Sequence, residues 1–213
     1  MLRRILVLLA LPSLVMLLST AQAQTLEEGT HYRTLSSPVN VNIPSDKDGI
    51  IHEFFWYGCV HCYNLEPAII EFKENLPDNL AFEEVPATFS EVHELHGKAF
   101  YTWQFLDMPE STHQAIYDEI FVNNNDLRTE SAVASFFEEQ GVSEEEFRRM
   151  FNSFSVQTKN RVAQNLTAGA QVRGTPSIMV NGRYMVESGM PGVSSNEDML
   201  RIAQELALQR ASE

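Results

Sequence analysis

Runs of hydrophobic residues divide this chain into predicted strands and helices. Residues 50–57 are almost wholly apolar and aromatic, which is typical of a central strand covered on both faces. Weaker strand patterns occupy residues 30–35 and 80–86. After Gly174 two more strands are predicted, at residues 177–180 and 183–186. They are joined by Asn181-Gly182, a pair that favours a type I′ hairpin turn.

Helical spacing of apolar residues dominates the rest of the chain. The first helix follows residue 62 and contains Pro67, which predicts a kink or a break at that point. Four short helical segments follow between about residues 91 and 154, and Thr129 and Ser143 are predicted to cap two of them. The pattern therefore predicts an α/β domain that is interrupted by helices.

Two further helices are predicted downstream of this helical stretch. One presents Val162, Leu166 and Ala170 on a single face. The other is a last amphipathic helix, which opens with a capping box that starts at Ser195. We therefore predict a discontinuous α/β domain formed by residues 24–90 and 157–213, and an all-helical insertion formed by residues 91–156.

The N-terminus has the pattern of a secretory signal peptide. Arg3 and Arg4 precede an apolar stretch, and Ala21-Gln22-Ala23 is a small-residue cleavage site, so residues 1–23 are predicted to be removed. A membrane anchor is less favoured, because the run is short for a bilayer span of about 20 residues and Pro12 interrupts it.

The charge balance limits the partners of the exported chain. Fifteen basic residues, two of them in the leader, stand against 29 acidic ones, so the mature chain has a formal charge of about −16. An excess of negative charge disfavours nucleic acid and anionic membrane surfaces as partners. Solubility is the simplest reason for this charge.

Cys59 and Cys62 are the only cysteines in the chain. They stand where the apolar strand ends and the first helix begins, and a C-x-x-C at such a junction indicates thiol redox chemistry. The free N–H groups and the dipole of a helix N-terminus would stabilise a thiolate at Cys59 and lower its pKa. Cys62 lies one turn inside the helix, so we expect it to be the more buried thiol.

A metal site is the alternative interpretation of the cysteines. His93 and His96 would complete a Cys₂His₂ set, which is a known zinc ligand set. The interval from Cys62 to His93 is much longer than the ~12 residues of a zinc finger. We therefore predict no metal site, and no nucleic-acid partner.

The whole mature chain resembles the DsbA family of periplasmic thiol:disulfide oxidoreductases. The resemblance rests on short motifs in the family's order and spacing: Glu53-Phe54-Phe55, Cys59-x-His61-Cys62-Tyr63, Arg173-Gly174-Thr175-Pro176 and Val180-Asn181-Gly182-Arg183-Tyr184. It implies an α/β fold of the thioredoxin type that is interrupted by a helical domain.

The resemblance also assigns roles near the two thiols. Cys59 is the implied nucleophile that carries mixed disulfides, and Cys62 is its buried partner. His61 would stabilise the Cys59 thiolate as a hydrogen-bond donor or as a cation. Glu53 would exchange a proton with Cys62 through water if it is buried, whereas a solvent-facing strand end would leave it without that role.

Three more residues are implied to contact substrate. Pro176 is expected to be a cis-proline, which would turn the Thr175 backbone towards Cys59 so that an extended substrate chain pairs with it. The best-known family members have proline where this chain has Val60, and often valine where it has Thr175. Because these positions tune redox strength and partner choice, the oxidising power is the property that these two departures affect.

These observations predict a monomeric periplasmic enzyme that donates a Cys59–Cys62 disulfide to exported proteins with free cysteines. A DsbB-like membrane protein would reoxidise it, and no cofactor beyond this disulfide is expected. A reductase or isomerase of the same fold is one alternative, although residues 24–49 are too short for the dimerisation domain that such isomerases usually carry. A metal- or peptide-binding module without turnover is the other alternative.

Overall fold

The structure is a computed structural model that describes residues 25–210. The predicted signal peptide lies outside the described residues. The elements are, in chain order, β1 Arg33–Thr34, β2 Gly49–Phe55, α1 Val60–Glu74, β3 Leu80–Pro86, α2 Glu91–Phe105, α3 Glu110–Phe121, α4 Glu130–Glu139, α5 Glu144–Phe151, α6 Phe154–Gly169, β4 Ser177–Val180, β5 Tyr184–Glu187 and α7 Asn196–Arg210. The five strands form one sheet in the order β1-β5-β4-β2-β3.

The centre of the sheet positions the two cysteines. Strand β2 pairs in parallel with β3, and α1 is the crossover between them. On its other side β2 pairs antiparallel with β4. All seven residues of β2 are buried, which agrees with the apolar run of the sequence. The chain leaves this strand and enters α1 at Cys59, so the redox motif lies at the edge of a rigid, buried element.

Two hydrophobic clusters form the core. One joins the sheet to α1 and α7, and includes Ile51, Leu65, Ile69, Ile178, Ile202 and Leu206. The other joins the sheet to helices α2–α6 and is rich in aromatic residues, including Phe54, Phe55, Phe100, Phe137, Phe147 and Phe151. The inserted helices therefore share a continuous core with the sheet. None of the helices within residues 25–210 is long and apolar enough to cross a membrane.

Several local predictions are confirmed. The hydroxyl oxygens of Thr129, Ser143 and Ser195 accept hydrogen bonds from the backbone N–H three residues further on, at 3.1, 3.3 and 3.1 Å. Asn181 and Gly182 have φ values of 52° and 65°, as a type I′ turn requires. A side chain is excluded at Gly182, because a Cβ there would lie 2.1 Å from the Val39 carbonyl oxygen.

Two local predictions differ in detail from the structure. Of the kink or break predicted at Pro67, the break does not occur, because α1 continues to Glu74. Residues on both sides of it, including Leu65 and Ile69, are fully buried, and this packing outweighs the loss of one backbone hydrogen bond. The first strand is also shorter than predicted, because only Arg33 and Thr34 pair with β5.

The predicted face of α6 is correct only in part. Ala170 is buried and Leu166 packs against the core, but Val162 is 46% exposed. The buried positions within α6 are Val156, Asn160, Ala163 and Thr167. This face packs on α2, where Gly97 leaves room for the Asn160 side chain, whose amide donates to the Glu94 carbonyl at 3.4 Å. A face of small and polar residues gives no hydrophobic pattern. The predicted boundary at residue 157 falls inside α6, and the division into two domains remains a prediction.

Candidate active site

Cys59 is the N-cap residue of α1. Its backbone is extended, with φ −100° and ψ 111°, and the first helical residue is Val60. The side chain of an N-cap residue reaches the N–H groups two and three positions further on, which here belong to His61 and Cys62. The thiol therefore stands where a serine or aspartate oxygen would normally cap a helix.

Ionisation changes what the Cys59 sulfur does. As a neutral thiol it makes no capping hydrogen bond and donates to the Thr175 carbonyl oxygen at 3.2 Å. As a thiolate it can only accept. The pKa of Cys59 is thereby lowered to about 5. The largest cause is a hydrogen bond from the Cys62 thiol, which burial opposes. The Thr175 side chain and the N–H groups of Cys62 and His61 lower the pKa further.

Cys62 has the opposite environment. Its side chain is 1% exposed, whereas Cys59 is half-buried, as the helix position predicts. Burial raises the pKa of Cys62 well above its usual value, and its hydrogen bond to Cys59 and the charge of Glu53 raise it further. At neutral pH the pair thus holds one accessible thiolate and one buried thiol, which is the arrangement that a dithiol exchange centre needs.

Glu53 lies in the middle of β2 and is 2% exposed, so the solvent-facing alternative for this residue is wrong. Burial raises its pKa well above the usual range, and the charges of Glu84 and Glu66 add to this effect. His113 and Lys73 act in the opposite direction. The carboxyl group is therefore able to hold a proton at a pH where an exposed glutamate is ionised.

The loop before Cys59 is fixed by close packing. The Trp56 ring lies against Gly58, where a Cβ would be 2.4 Å from the indole, so this position excludes any side chain. Trp56 stacks on His93 at 4.1 Å between ring centroids, and the Cys59 N–H donates to the Trp56 carbonyl at 2.9 Å. The loop thus presents Cys59 in one defined orientation.

The remaining predicted residues surround the same centre. The Thr175–Pro176 peptide bond is cis, as the resemblance implied, and it precedes β4 directly. Val60 is 47% exposed beside Cys59. The His61 imidazole is exposed on the first turn of α1, and its backbone N–H, rather than its ring, is among the groups that lower the pKa of Cys59.

The alternative metal ligands have other partners. His93 pairs with the Ser90 hydroxyl at 2.8 Å, and His96 Nε2 lies 3.2 Å from the carbonyl oxygens of Asp126 and Leu127. Within residues 25–210, the ligand atoms close enough to hold a metal ion belong instead to a different set, Glu66, Glu84 and His113. The predicted Cys₂His₂ alternative is therefore not assembled.

Sequence reasoning missed a buried polar cluster next to Glu53. It consists of Tyr57, Glu66, Lys73, Glu84 and His113, and we call it the buried charge cluster. Lys73 is partly exposed and also pairs with the exposed Glu110. Glu66 had a detectable signal, because it shares the buried face of α1 with Cys62, Leu65 and Ile69. His113 had none, since it lies 56 residues from Tyr57, its hydrogen-bond partner.

The fold and this pair of unlike thiols define a thiol:disulfide oxidoreductase of the thioredoxin type. The family model of the DSBA-like thioredoxin domain matches residues 58–207. The chain belongs to this family.

Several proteins that are similar to this chain are named thiol:disulfide interchange protein DsbA. It is 35% identical over 183 residues to the thiol:disulfide interchange protein DsbA of Pseudomonas aeruginosa, covering 86% of this chain and 85% of that protein. It is 33% identical over 189 residues to DsbA of Pseudomonas syringae pv. tomato, covering 89% and 86%. The crystal structure of Pseudomonas aeruginosa DsbA matches with a TM-score of 0.80 and 34% identity, covering 86% of this chain and 94% of that one.

Proposed function

We propose that this oxidoreductase works as a periplasmic thiol oxidant, which donates a Cys59–Cys62 disulfide to newly exported proteins. The observation that carries the proposal is the asymmetry of the two thiols. Cys59 is accessible and its pKa is lowered to about 5, whereas Cys62 is buried and its pKa is raised. Stabilising the thiolate favours the reduced form of the protein, and this makes its disulfide oxidising.

The first step is attack by a substrate thiolate on the Cys59 sulfur. The Cys59–Cys62 bond breaks, a mixed disulfide forms at Cys59, and Cys62 leaves as a thiolate. A charged sulfur is costly at a site that is 1% exposed, so Cys62 takes up a proton. Glu53 supplies it, directly or through water, since burial raises the pKa of its carboxyl group well above the usual range.

The second step releases the oxidised substrate. A second substrate thiolate attacks the substrate sulfur of the mixed disulfide, and Cys59 leaves as the stabilised thiolate. Two substrate thiols have then lost two electrons, and the protein disulfide has gained them. Low-pKa thiols leave faster, so the hydrogen bonds around Cys59 accelerate this step as well.

Substrate binding is proposed to use the backbone before the cis-proline. The Thr175 carbonyl lies 3.2 Å from the Cys59 sulfur, and Thr175 is half-exposed. An extended peptide whose cysteine reaches Cys59 would therefore pass within hydrogen-bonding range of this backbone. The exposed Val60 side chain would contact the same peptide.

The setting of the enzyme is part of the proposal. The leader predicted for residues 1–23 would export the chain, and the family's DsbB-like membrane protein would reoxidise the monomer. No cofactor is needed, because the Cys59–Cys62 disulfide carries the electrons.

The deciding experiment is the redox equilibrium of Cys59–Cys62 in glutathione buffers. We expect the protein to be reduced even in mostly oxidised glutathione. A disulfide that persists until the buffer is strongly reducing would contradict the oxidant role and favour a reductase. Zinc or copper bound near one per chain in the purified protein would instead favour the metal-binding alternative.

A trapping experiment tests the division of roles between the thiols. Cys62→Ser should accumulate mixed disulfides with exported proteins, because no internal thiol remains to displace them from Cys59. Cys59→Ser is the matched control and should trap none. Equal trapping by both variants would contradict the assignment of Cys59 as the nucleophile.

A further inference from the structure

His113 brings a positive charge from the helical part of the chain to the base of the redox site. It lies on α3 and is 1% exposed. Its Nδ1 pairs with the Tyr57 hydroxyl at 2.7 Å. Its Nε2 lies 3.4 Å from a Glu66 oxygen and 3.3 Å from a Glu84 oxygen, without a well-directed hydrogen bond to either.

The two carboxylates keep this imidazole charged. Burial disfavours the imidazolium, but Glu66 and Glu84 beside Nε2 raise the pKa of His113 to about 10. Burial would likewise raise the pKa of Glu84, but the neighbouring His113 imidazolium, together with the charge and hydrogen bond of Lys73, lowers it to about 2. At neutral pH the buried charge cluster thus contains a fixed cation that is flanked by carboxylates.

Each side chain that contacts His113 is close to a residue of the redox site, either in sequence or in sheet register. Glu84 is the register partner of Glu53 in the parallel β2–β3 pair. Glu66 lies four residues, or about one helical turn, after Cys62 on the buried face of α1. Tyr57 is two residues before Cys59. The histidine therefore contacts α1, which carries Cys62, the loop that precedes Cys59, and β3, the strand that pairs with Glu53.

We propose that His113 is a positioning residue for the Cys62 proton: its charge offsets Glu66 and Glu84, so that Glu53 can release its proton and act as the base for Cys62. This inference rests on the proposed function and deepens it. Without the cation, Glu53 would face two carboxylates with only Lys73 to compensate, and it would hold its proton more tightly.

The step concerned is ring closure during reoxidation. An oxidant forms a mixed disulfide with Cys59, and the Cys62 thiol must lose its proton before it can attack the Cys59 sulfur. The ionised Glu53 carboxylate accepts this proton. The new Cys59–Cys62 bond forms as the oxidant leaves as a thiolate, so electrons and protons balance.

The charged groups around the two acids are all defined. His113 lies beside Glu66 from α1 and Glu84 from β3, and it contacts the Tyr57 hydroxyl. Lys73 from α1 pairs with Glu84 and with Glu110, which belongs to α3. Glu53 is influenced by Glu84, Glu66, His113 and Lys73, and it acts in turn on Cys62 and Tyr117. Removing either cation should shift the protonation of Glu53 in the same direction.

The test measures the rate of ring closure against pH in the full-length protein. Oxidised glutathione forms the adduct on reduced Cys59, and acid quenching with mass spectrometry follows its conversion to the internal disulfide. His113→Gln removes the charge and keeps a polar side chain. We expect the midpoint of the pH profile to rise by about one unit. The rate at neutral pH should then fall about tenfold, because a rise of one unit in the pKa of the proton acceptor lowers its ionised fraction about tenfold.

Two further variants make the result decisive. His96→Gln is the matched control, because His96 is also buried but its pKa is lowered to about 4 by burial, so it carries no charge at neutral pH. Its profile should not move. Lys73→Gln removes the second cation from a side chain that is 31% exposed, and should shift the midpoint in the same direction by a smaller amount.

An unshifted midpoint in His113→Gln, or an equal shift in His96→Gln, would overturn the inference. If His113→Gln does not fold, an unshifted midpoint in Lys73→Gln overturns it. Failure of the proposed function is seen separately, in the glutathione equilibrium of the unmodified protein. Ring closure of the adduct can be measured whichever way that equilibrium lies.

Discussion

The Cys59 surface and the buried charge cluster both stabilise anions, but by different means. At Cys59 the thiolate is surrounded by the Cys62 thiol, the Thr175 side chain and two backbone N–H groups, all of them neutral donors. In the buried cluster, the carboxylates of Glu66 and Glu84 lie against the formal charge of His113.

The difference follows from what must reach each anion. A substrate sulfur has to approach Cys59, so this anion is half-exposed, and neutral dipoles are sufficient where water also helps. Glu84 has no part in the proposed sulfur exchange and its side chain is 7% exposed, and a charge without solvent requires a countercharge. Neutral dipoles therefore stabilise the reactive Cys59 thiolate, and a countercharge stabilises the buried carboxylates.

The largest effect is expected from breaking the buried cluster. His113→Leu leaves two carboxylates without their cation, and removal of one partner of a buried ion pair costs about 3–5 kcal/mol. Urea denaturation at neutral pH measures this loss. His96→Leu is the control and should cost only about 1–2 kcal/mol, since it loses a neutral hydrogen-bonding group. Equal losses in the two variants would show that His113 is not a structural cation.

The pH dependence of stability separates the two regions. The pKa of His113 is raised from 6.5 to about 10, so its contribution is complete below pH 6.5 and is lost as pH rises through about 10. In the disulfide form we expect a loss of roughly 2–3 kcal/mol between about pH 7 and 9. In the dithiol form the pKa of Cys59 is lowered from 9.0 to about 5. Its contribution to the stability of the protein therefore increases as pH rises between these values, and it opposes the loss from His113.

Urea titrations of both redox forms across this interval check that prediction. The stability of the disulfide form should fall more steeply with rising pH than that of the dithiol form. Parallel curves for the two forms would contradict the assignment of opposite contributions to His113 and Cys59.

The next effect concerns the strongest donor to the Cys59 thiolate. Cys62→Ala removes a hydrogen bond to a charged group, worth about 1.5–3 kcal/mol, and should raise the pKa of Cys59 from about 5 to about 6–7. Cys62→Ser keeps a hydroxyl donor and should raise it less. Thiolate absorbance against pH measures both, and equal values for the two variants would show that this donor is unimportant.

A smaller change is expected at Thr175. Thr175→Val keeps the shape of the side chain but removes a hydroxyl that lowers the pKa of Cys59. Because the other donors remain, the pKa should rise from about 5 to about 6, which corresponds to about 1.4 kcal/mol. The protein should then be reduced less readily in glutathione buffers. An unchanged thiolate titration would contradict this role of the hydroxyl.

The smallest effect is predicted for His61→Ser. The serine keeps the backbone N–H that lowers the pKa of Cys59, and the lost imidazole is exposed to solvent, which weakens its interaction with the thiolate. We expect a slight rise in the pKa of Cys59 and a slightly less oxidising protein. A rise larger than that of Thr175→Val would show that the imidazole, and not the backbone, is the main contribution of this residue.

The role of a site residue could be predicted from the sequence when the features that define it lie close together along the chain. The role of Cys59 could be predicted because a strand end, a helix start and the C-x-x-C spacing are local. The cis bond before Pro176 came only from the resemblance, since it depends on packing that no local pattern records. The burial of Glu53 was left open, because the same strand pattern fits an acid at either end or in the middle.

The buried charge cluster could not be predicted for the same reason. Glu66 and Lys73 come from α1, Glu84 from β3 and His113 from α3, and only the folded chain brings them together. The buried face of α6 was predicted only in part, for a different reason. Asn160 and Thr167 are buried because Gly97 and the neighbouring backbone accommodate them, and hydrophobicity alone does not identify such polar positions.

The placement of His113 has a consequence for swapping parts between relatives. A chimaera that exchanges only residues 91–156 would import or remove this histidine but leave Glu66 and Glu84 behind. The graft would then contain carboxylates without a cation, even if every hydrophobic contact were preserved. Compatible donors are therefore those in which the segment and its host were inherited together, or in which a substitution near Glu84 has already restored neutrality.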